Sequence, residues 1–318
     1  MARLAVCSVS FSKNKALVDE LRLVCPDLKI NSAGERLGAE RLLEYLKGVE
    51  IALIGTEMVD ADLISKLSDL RFVAKYGVGT DNIDQEALKR AGIGFGWQGG
   101  VNKRSVAEMA LTFLNGLARN IFFSGYQLKH GQWHKDGGFQ LSGKKVGIVG
   151  CGHVGSDLIE LLAPYRCPVL VCDILDKSSF IKVRQSAGDN IRQVDLKTVL
   201  RESDLISLHV PLTQDGPDAT YNLLGAKNLA QLKKGAYLIN TSRGGVVDQE
   251  ALKMALLDEN HPLAGAALDV FTEEPPVDLE LLELSNLMVT PHIGGNAYEA
   301  KLVMGRSAIE GIRQYMLL

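Results

Sequence analysis

No apolar run in this chain approaches the roughly 20 residues that a membrane-spanning helix needs. A bilayer-embedded role is therefore not expected. Excess charge is missing too. The formal net charge is -3, which gives no electrostatic case for nucleic acid or an anionic membrane. Cysteine is sparse. The five cysteines, Cys7, Cys25, Cys151, Cys167 and Cys172, are odd in number and scattered, with no CxxC or Cys/His ligand spacing. Disulfides and structural zinc are disfavoured, and no metal site is expected. The thiols are read as small buried hydrophobes in a reducing cytoplasm. There is no tandem repeat of solenoid length and no low-complexity segment. The N-terminus, Met1-Ala2-Arg3-Leu4-Ala5-Val6-Cys7, has one positive charge and an apolar run that breaks at Ser8. It reads as a first strand rather than a signal peptide.

What is present is an ordinary globular composition, 46% hydrophobic and 23% charged, over 318 residues, enough for two domains. Apolar runs alternate with amphipathic segments, which predicts repeated βα units and mainly parallel sheets. In the first hundred residues strands are expected at Leu4–Ser8, Glu50–Ile54, Phe72–Lys75 and Gly94–Gly96, with helices at 13–24, 38–47, 60–67 and 84–91. A helical stripe then covers 103–119. Gly125 to Gly143 reads as a surface connection. Strands are expected again at Lys145–Val149, Val169–Cys172, Leu205–His209, Ala236–Ile239, Ala266–Leu268 and Leu287–Val289, with a last helix at Ala297–Tyr315.

A glycine fingerprint, Gly150-Cys151-Gly152-His153-Val154-Gly155, follows the apolar strand Val146–Val149 and opens a helix. In that context Gly150 permits the tight turn, Gly152 lets a pyrophosphate approach the backbone, and Gly155 allows close helix–strand packing. The anion would sit on a helix N-terminus. Asp173 ends the next strand, where a carboxylate can accept from a ribose 2′-OH and repel a 2′-phosphate, favouring NAD over NADP. Lys177 stands nearby.

Three further residues lie after strands, where doubly wound sheets place their sites. Arg243, in Asn240-Thr241-Ser242-Arg243-Gly244-Gly245, can grip a carboxylate in bidentate fashion and polarise a neighbouring keto oxygen. His292, in Thr290-Pro291-His292-Ile293-Gly294-Gly295, can move a hydroxyl proton. Its partner is Glu274 or the adjacent Glu273, which spacing does not separate. His209 ends a strand before Val210-Pro211 and should face the cofactor cleft. His130, His134, His153 and His261 are read as structural. In Lys75-Tyr76-Gly77-Val78-Gly79-Thr80-Asp81 the backbone around Val78 and Gly79 can present N–H groups to a substrate carboxylate.

These residues resemble the D-2-hydroxyacid dehydrogenase family, phosphoglycerate dehydrogenase branch. The similarity runs through KYGVGTDNID (75–84), VNKRSVAE (101–108), GIVGCGHVG (147–155), SLHVPLT (207–213), NTSRGGVVD (240–248), ALDVFTEEPP (267–276) and TPHIGG (290–295). It implies two doubly wound domains, a flavodoxin-like substrate domain (1–100 plus 291–318) and a Rossmann-type NAD-binding domain (101–290). It implies Arg243 on the substrate carboxylate, His292 as acid/base and Glu274 as its partner. Asp269 would hydrogen-bond the nicotinamide amide. The remaining cofactor contacts would come from Gly150, Gly152, His153, Val154, Gly155, Asp173, His209, Val210, Pro211, Thr241, Ser242, Gly294 and Gly295. Such enzymes are usually homodimers joined through the nucleotide domains, closing a cleft on a small 2-oxo or 2-hydroxy acid.

Two departures stand out. Phosphoglycerate enzymes commonly carry arginine after the second strand, whereas this loop reads Ile54-Gly55-Thr56-Glu57. Lys103 and Arg104 are alternative sources of charge. The chain also ends at Leu318, so no C-terminal regulatory domain is expected. The expected activity is interconversion of 3-phosphoglycerate and its 2-oxo acid, with glyoxylate or hydroxypyruvate reduction as the alternative. A non-enzymatic NAD-sensing corepressor-like protein is the reading from another class.

Overall fold

A computed structural model of the chain describes residues 3–317. They divide into two compact units, one running to Asn102 and resuming at Ala297, the other spanning Lys103–Asn296.

The first unit is built on five parallel strands: β1 (Leu4–Val6), β2 (Leu28–Ile30), β3 (Ile51–Ile54), β4 (Phe72–Lys75) and β5 (Gly94–Gly96). Their order is β2-β1-β3-β4-β5, the flavodoxin-like arrangement. The strands β1, β3 and β4 are buried throughout, as expected where crossover helices cover both faces. The last helix, Tyr298–Met316, belongs to this unit and packs on the helix Lys15–Val24 and on β4 and β5. Arg306 clamps Glu20 through Nε and Nη2, and the Tyr315 ring stacks on Phe72 at 4.7 Å.

The second unit holds seven parallel strands: β6 (Val146–Val149), β7 (Val169–Cys172), β8 (Ile191–Gln193), β9 (Leu205–Leu208), β10 (Ala236–Asn240), β11 (Leu263–Leu268) and β12 (Leu287–Val289). The order β12-β11-β10-β9-β6-β7-β8 reverses direction between β6 and β9, the switch point at which such sheets bind ligands. Side chains alternate between two cores. Val146, Ile148, Val169 and Val171 enter one, and Val149, Leu170, Ile206 and Leu208 the other.

Several expectations need correction. β2 and β8 were not anticipated; both are three-residue edge strands with a central Lys29 or Arg192 that breaks the apolar run. The start of the expected surface connection is helical, because Ile121–Lys129 forms a helix with no buried residue. Met1 and Ala2 of the expected first strand, and Leu318 of the expected first domain, lie outside the described residues. The second unit also runs to Asn296 rather than ending at 290, because the backbone at 293–294 is tied to Asp269, as described below. All five cysteines are free, and four are buried.

Candidate active site

The fingerprint follows β6. Gly150 adopts φ +93 and its N–H donates to the Cys172 carbonyl. The helix starts at His153, and Gly152 caps it without any side-chain hydrogen bond. A Cβ on Gly155 would lie 2.0 Å from the Gly150 carbonyl oxygen, so only glycine allows this helix to sit against the turn. Asp173, at the end of β7, accepts the Cys151 N–H at 2.7 Å and the Leu175 N–H at 2.8 Å. Lys177 Nζ stands 3.5 Å from the same carboxylate. Gln193 holds this loop, accepting the Lys177 N–H and donating to the Asp173 and Leu175 carbonyls.

These residues fit a dinucleotide. The uncapped helix start leaves N–H groups for an anion. A Cβ on Gly152 would meet nothing within 4 Å, so the backbone there is open to approach. The Thr241 hydroxyl, after β10, is buried with no hydrogen-bond partner among the described residues, which suits a polar ligand. His209 Nε2 pairs with Ser207 Oγ at 2.9 Å, and burial lowers its pKa to about 3. It is neutral at physiological pH and is not a proton shuttle there.

Arg243 leaves β10 through a turn clamped by Asn240. The Asn240 Oδ1 accepts from Ser242 N and Oγ, while its Nδ2 donates to the Arg243 carbonyl at 2.9 Å. Arg243 Nη1 donates to the Ser242 carbonyl at 2.8 Å. A Cβ on Gly244 would lie 1.9 Å from the Phe271 carbonyl carbon, so the backbone after Arg243 touches the strand end leading to Glu274.

His292 Nδ1 lies 2.7 Å from Glu274 Oε2, and the Phe271 N–H donates to Glu274 Oε1 at 3.1 Å. The geometry selects Glu274 over the adjacent Glu273 as the hydrogen-bond partner of His292. His292 has φ +54, a left-handed conformation that costs a non-glycine residue energy. Asp269 holds it there. This buried carboxylate accepts from Thr290 Oγ1 at 2.5 Å, Ile293 N at 2.8 Å and Gly294 N at 2.7 Å. The Thr290 carbonyl takes the His292 N–H, and Asn296 donates to the His292 carbonyl.

The structure thus gathers Gly150, Gly152, His153, Val154, Gly155, Asp173, His209, Val210, Pro211, Thr241, Ser242, Arg243, Asp269, Glu274, His292, Gly294 and Gly295 in the second unit. Val78 and Gly79 belong to the first, after β4, where Trp97 Nε1 braces the Val78 carbonyl at 2.9 Å. The alternative cations Lys103 and Arg104 lie on the buried Asp157, with Arg104 Nε 2.8 Å from it. The clamps Asn240 and Thr290 were not anticipated. Asn240 was visible only as the first letter of the Arg243 motif. No group of residues suited to a metal ion occurs among the described residues, and no described helix is long and apolar enough to cross a membrane.

Comparison with known proteins agrees with this geometry. Residues 111–294 match the family model described as D-isomer specific 2-hydroxyacid dehydrogenase, NAD binding domain. The chain is 33% identical over 292 residues to a hydroxypyruvate reductase of Thermotoga maritima, covering 90% of each. It is 34% identical over 286 residues to a D-3-phosphoglycerate dehydrogenase of Methanocaldococcus jannaschii, covering 88% of this chain and 52% of that one. Among solved structures, the TT0316 protein of Thermus thermophilus matches with a TM-score of 0.82 at 28% identity, over 98% of this chain and 94% of that one.

Proposed function

This chain belongs to the D-isomer specific 2-hydroxyacid dehydrogenase family of NAD-dependent oxidoreductases, and we propose that it interconverts a small, unphosphorylated D-2-hydroxy acid and its 2-oxo acid, of the glyoxylate or hydroxypyruvate type. The observation that carries the chemistry is the 2.7 Å contact between His292 Nδ1 and Glu274 Oε2.

A carboxylate accepting from Nδ1 sets the tautomer and leaves Nε2 to face the substrate oxygen. In reduction, protonated His292 gives its Nε2 proton to that oxygen; in oxidation the neutral ring removes it. The nicotinamide, when bound, supplies or accepts the hydride. Arg243 holds the substrate carboxylate and draws charge from the carbonyl, and the backbone at Val78 and Gly79 is suited to offer N–H groups to a carboxylate. Asp173 receives the adenosine ribose. The first unit serves as the substrate domain and the second as the nucleotide domain.

The preference for an unphosphorylated acid rests on the cations. Lys75 is buried and donates to the Gly55 carbonyl and, at 2.7 Å, to Asn82 Oδ1. Glu57, in the loop after β3, is buried and accepts the Gly55 N–H. Lys103 and Arg104 face Asp157, at 3.7 and 2.8 Å. The loop Gly55-Thr56-Glu57 carries no cation of its own for a phosphate. The second reading, 3-phosphoglycerate, is favoured by the motifs around 75–84 and 240–248.

A homodimer through the nucleotide domain fits the same reading. The helix Ile121–Lys129 buries none of its residues, and Ile121, Phe122, Tyr126, Leu128 and Trp133 are exposed. Light scattering tests it, and a monomer at all concentrations refutes it. The activity is tested by NADH oxidation against glyoxylate, hydroxypyruvate and 3-phosphohydroxypyruvate. Greatest kcat/KM on either unphosphorylated acid is expected. Preference for the phosphorylated acid would select the second reading. No turnover with any oxo acid, with NADH still bound, would favour the NAD-sensing alternative.

A further inference from the structure

We infer that Gln249 is a positioning residue for the Glu274–His292 pair, an inference that rests on the roles proposed above for those two residues. Glu274 rides on a loop with little packing of its own. Thr272, Glu273, Glu274, Pro275 and Val277 are all exposed. A carboxylate on such a loop holds a catalytic ring only if the loop is fastened elsewhere.

The fastening comes from the helix Gln249–Leu257, which Asp248 caps through the Ala251 N–H. From its first turn Gln249 Oε1 accepts the Thr272 N–H at 2.6 Å. One turn later, on the same face, Lys253 Nζ reaches both Asp278 oxygens at 3.0 and 3.2 Å and Glu280 at 2.6 Å. The helix therefore grips the loop on both sides of Glu274. The Gln249 contact is the one close to the chemistry. It sets the peptide that follows Phe271, and the Phe271 N–H is the donor to Glu274 Oε1. Gly244 lets the backbone of residues 271–272 lie against the Arg243 turn. Gln249 thus bears on the spacing between the carboxylate-binding arginine and the proton-shuttling pair.

The test uses the full chain with Gln249→Met, which keeps length but deletes the acceptor, Gln249→Glu, which keeps it, and Glu274→Gln as control. Readouts are kcat with NADH and the best oxo acid, NADH affinity by fluorescence, thermal midpoint, and the imidazole nitrogen shifts of His292. Gln249→Met should lower kcat about tenfold through misplacement of the pair. NADH affinity and thermal midpoint should stay near wild type, and the His292 shifts should move toward a mixture of tautomers. Gln249→Glu should restore most of both. Wild-type kcat and unchanged shifts in Gln249→Met, while Glu274→Gln alters both, overturn the inference alone. Equal losses in the Met and Glu variants also overturn it. If Glu274→Gln leaves kcat untouched, the pairing itself is wrong and the inference falls with it.

Discussion

Asp269→Asn should damage the His292 turn out of proportion to its size. The carboxylate accepts two hydrogens on Oδ1, from Thr290 Oγ1 and Ile293 N, and one on Oδ2, from Gly294 N. An amide has a single acceptor oxygen. Placed at the Oδ1 position, it directs its NH2 at the Gly294 N–H from 2.7 Å. Flipped, it directs the NH2 at the Ile293 N–H from 2.8 Å. Either way one backbone donor loses its partner and faces another donor. A hydrogen bond to a charged group is worth about 1.5–3 kcal/mol, and an orphaned buried donor costs about 1–3 kcal/mol. The turn should be destabilised by about 2–4 kcal/mol. His292 sits at φ +54, a costly conformation for a non-glycine residue, and should relax toward ordinary backbone when that hold weakens. A loss of about 100-fold in kcat is expected. NADH affinity separates this role from a nicotinamide contact: a lost turn acts on kcat first, a lost cofactor contact on binding. Stopped-flow turnover and fluorescence titration give both. A variant that keeps kcat within about threefold of wild type would refute the reasoning, because the geometry offers no alternative acceptor on Asp269.

Three other outcomes follow from the same geometry. Burial holds the His209 pKa at about 3 against an ordinary 6.5, so the unfolded chain takes up a proton below 6.5 that the folded one refuses. Stability present above that pH is lost as pH falls, by about 2 kcal/mol between pH 8 and 5 for this group; urea unfolding of wild type against His209→Gln should show that difference, and an imidazole titrating near 6.5 by NMR would contradict it. Gly155→Ala sets a methyl 2.0 Å from the Gly150 carbonyl oxygen, so NADH binding should weaken at least tenfold, about 1.4 kcal/mol; unchanged affinity in calorimetry would count against the fingerprint as the cradle. Asp173→Ala should weaken NADH and narrow its advantage over NADPH, with a further general loss because the Cys151 and Leu175 N–H groups lose their acceptor; equal affinity for both cofactors in the unmutated protein would remove the basis for this role.

Much of the fold was legible because parallel strands buried on both faces are short, dense apolar runs. Phe72–Lys75 and Val169–Cys172 stand where periodicity placed them. Legibility failed where burial fails. β2 and β8 take part in their sheets through backbone hydrogen bonds on one side only, and Lys29 and Arg192 are exposed rather than buried in a core. Ile121–Lys129 is helical without an apolar stripe, since no residue of it enters a core. Periodicity reports side-chain burial, so elements held mainly by backbone pairing leave little trace in it.

The site divides along the same line. Arg243, Glu274 and His292 could be nominated because each chemistry admits few residue types and each stands at a strand end. What holds them could not, because a backbone N–H donates to almost any oxygen. The family resemblance assigns Asp269 to the cofactor; its carboxylate also accepts three hydrogens from the His292 turn, a role that no motif signals. Asn240 and Gln249 satisfy backbone donors in the same way, and nothing in their spacing distinguishes them from any polar residue near a turn. The three act at different places: Asn240 orients the turn that carries Arg243, Gln249 the peptide beside Phe271, and Asp269 the left-handed step at His292. Each makes definite the position of a group that would otherwise sit on a mobile loop end. Preorganisation of this kind supplies rate without contacting substrate. Conservative changes at these three positions should therefore act mainly on kcat, whereas changes at Asp173 or Gly155 act mainly on cofactor affinity.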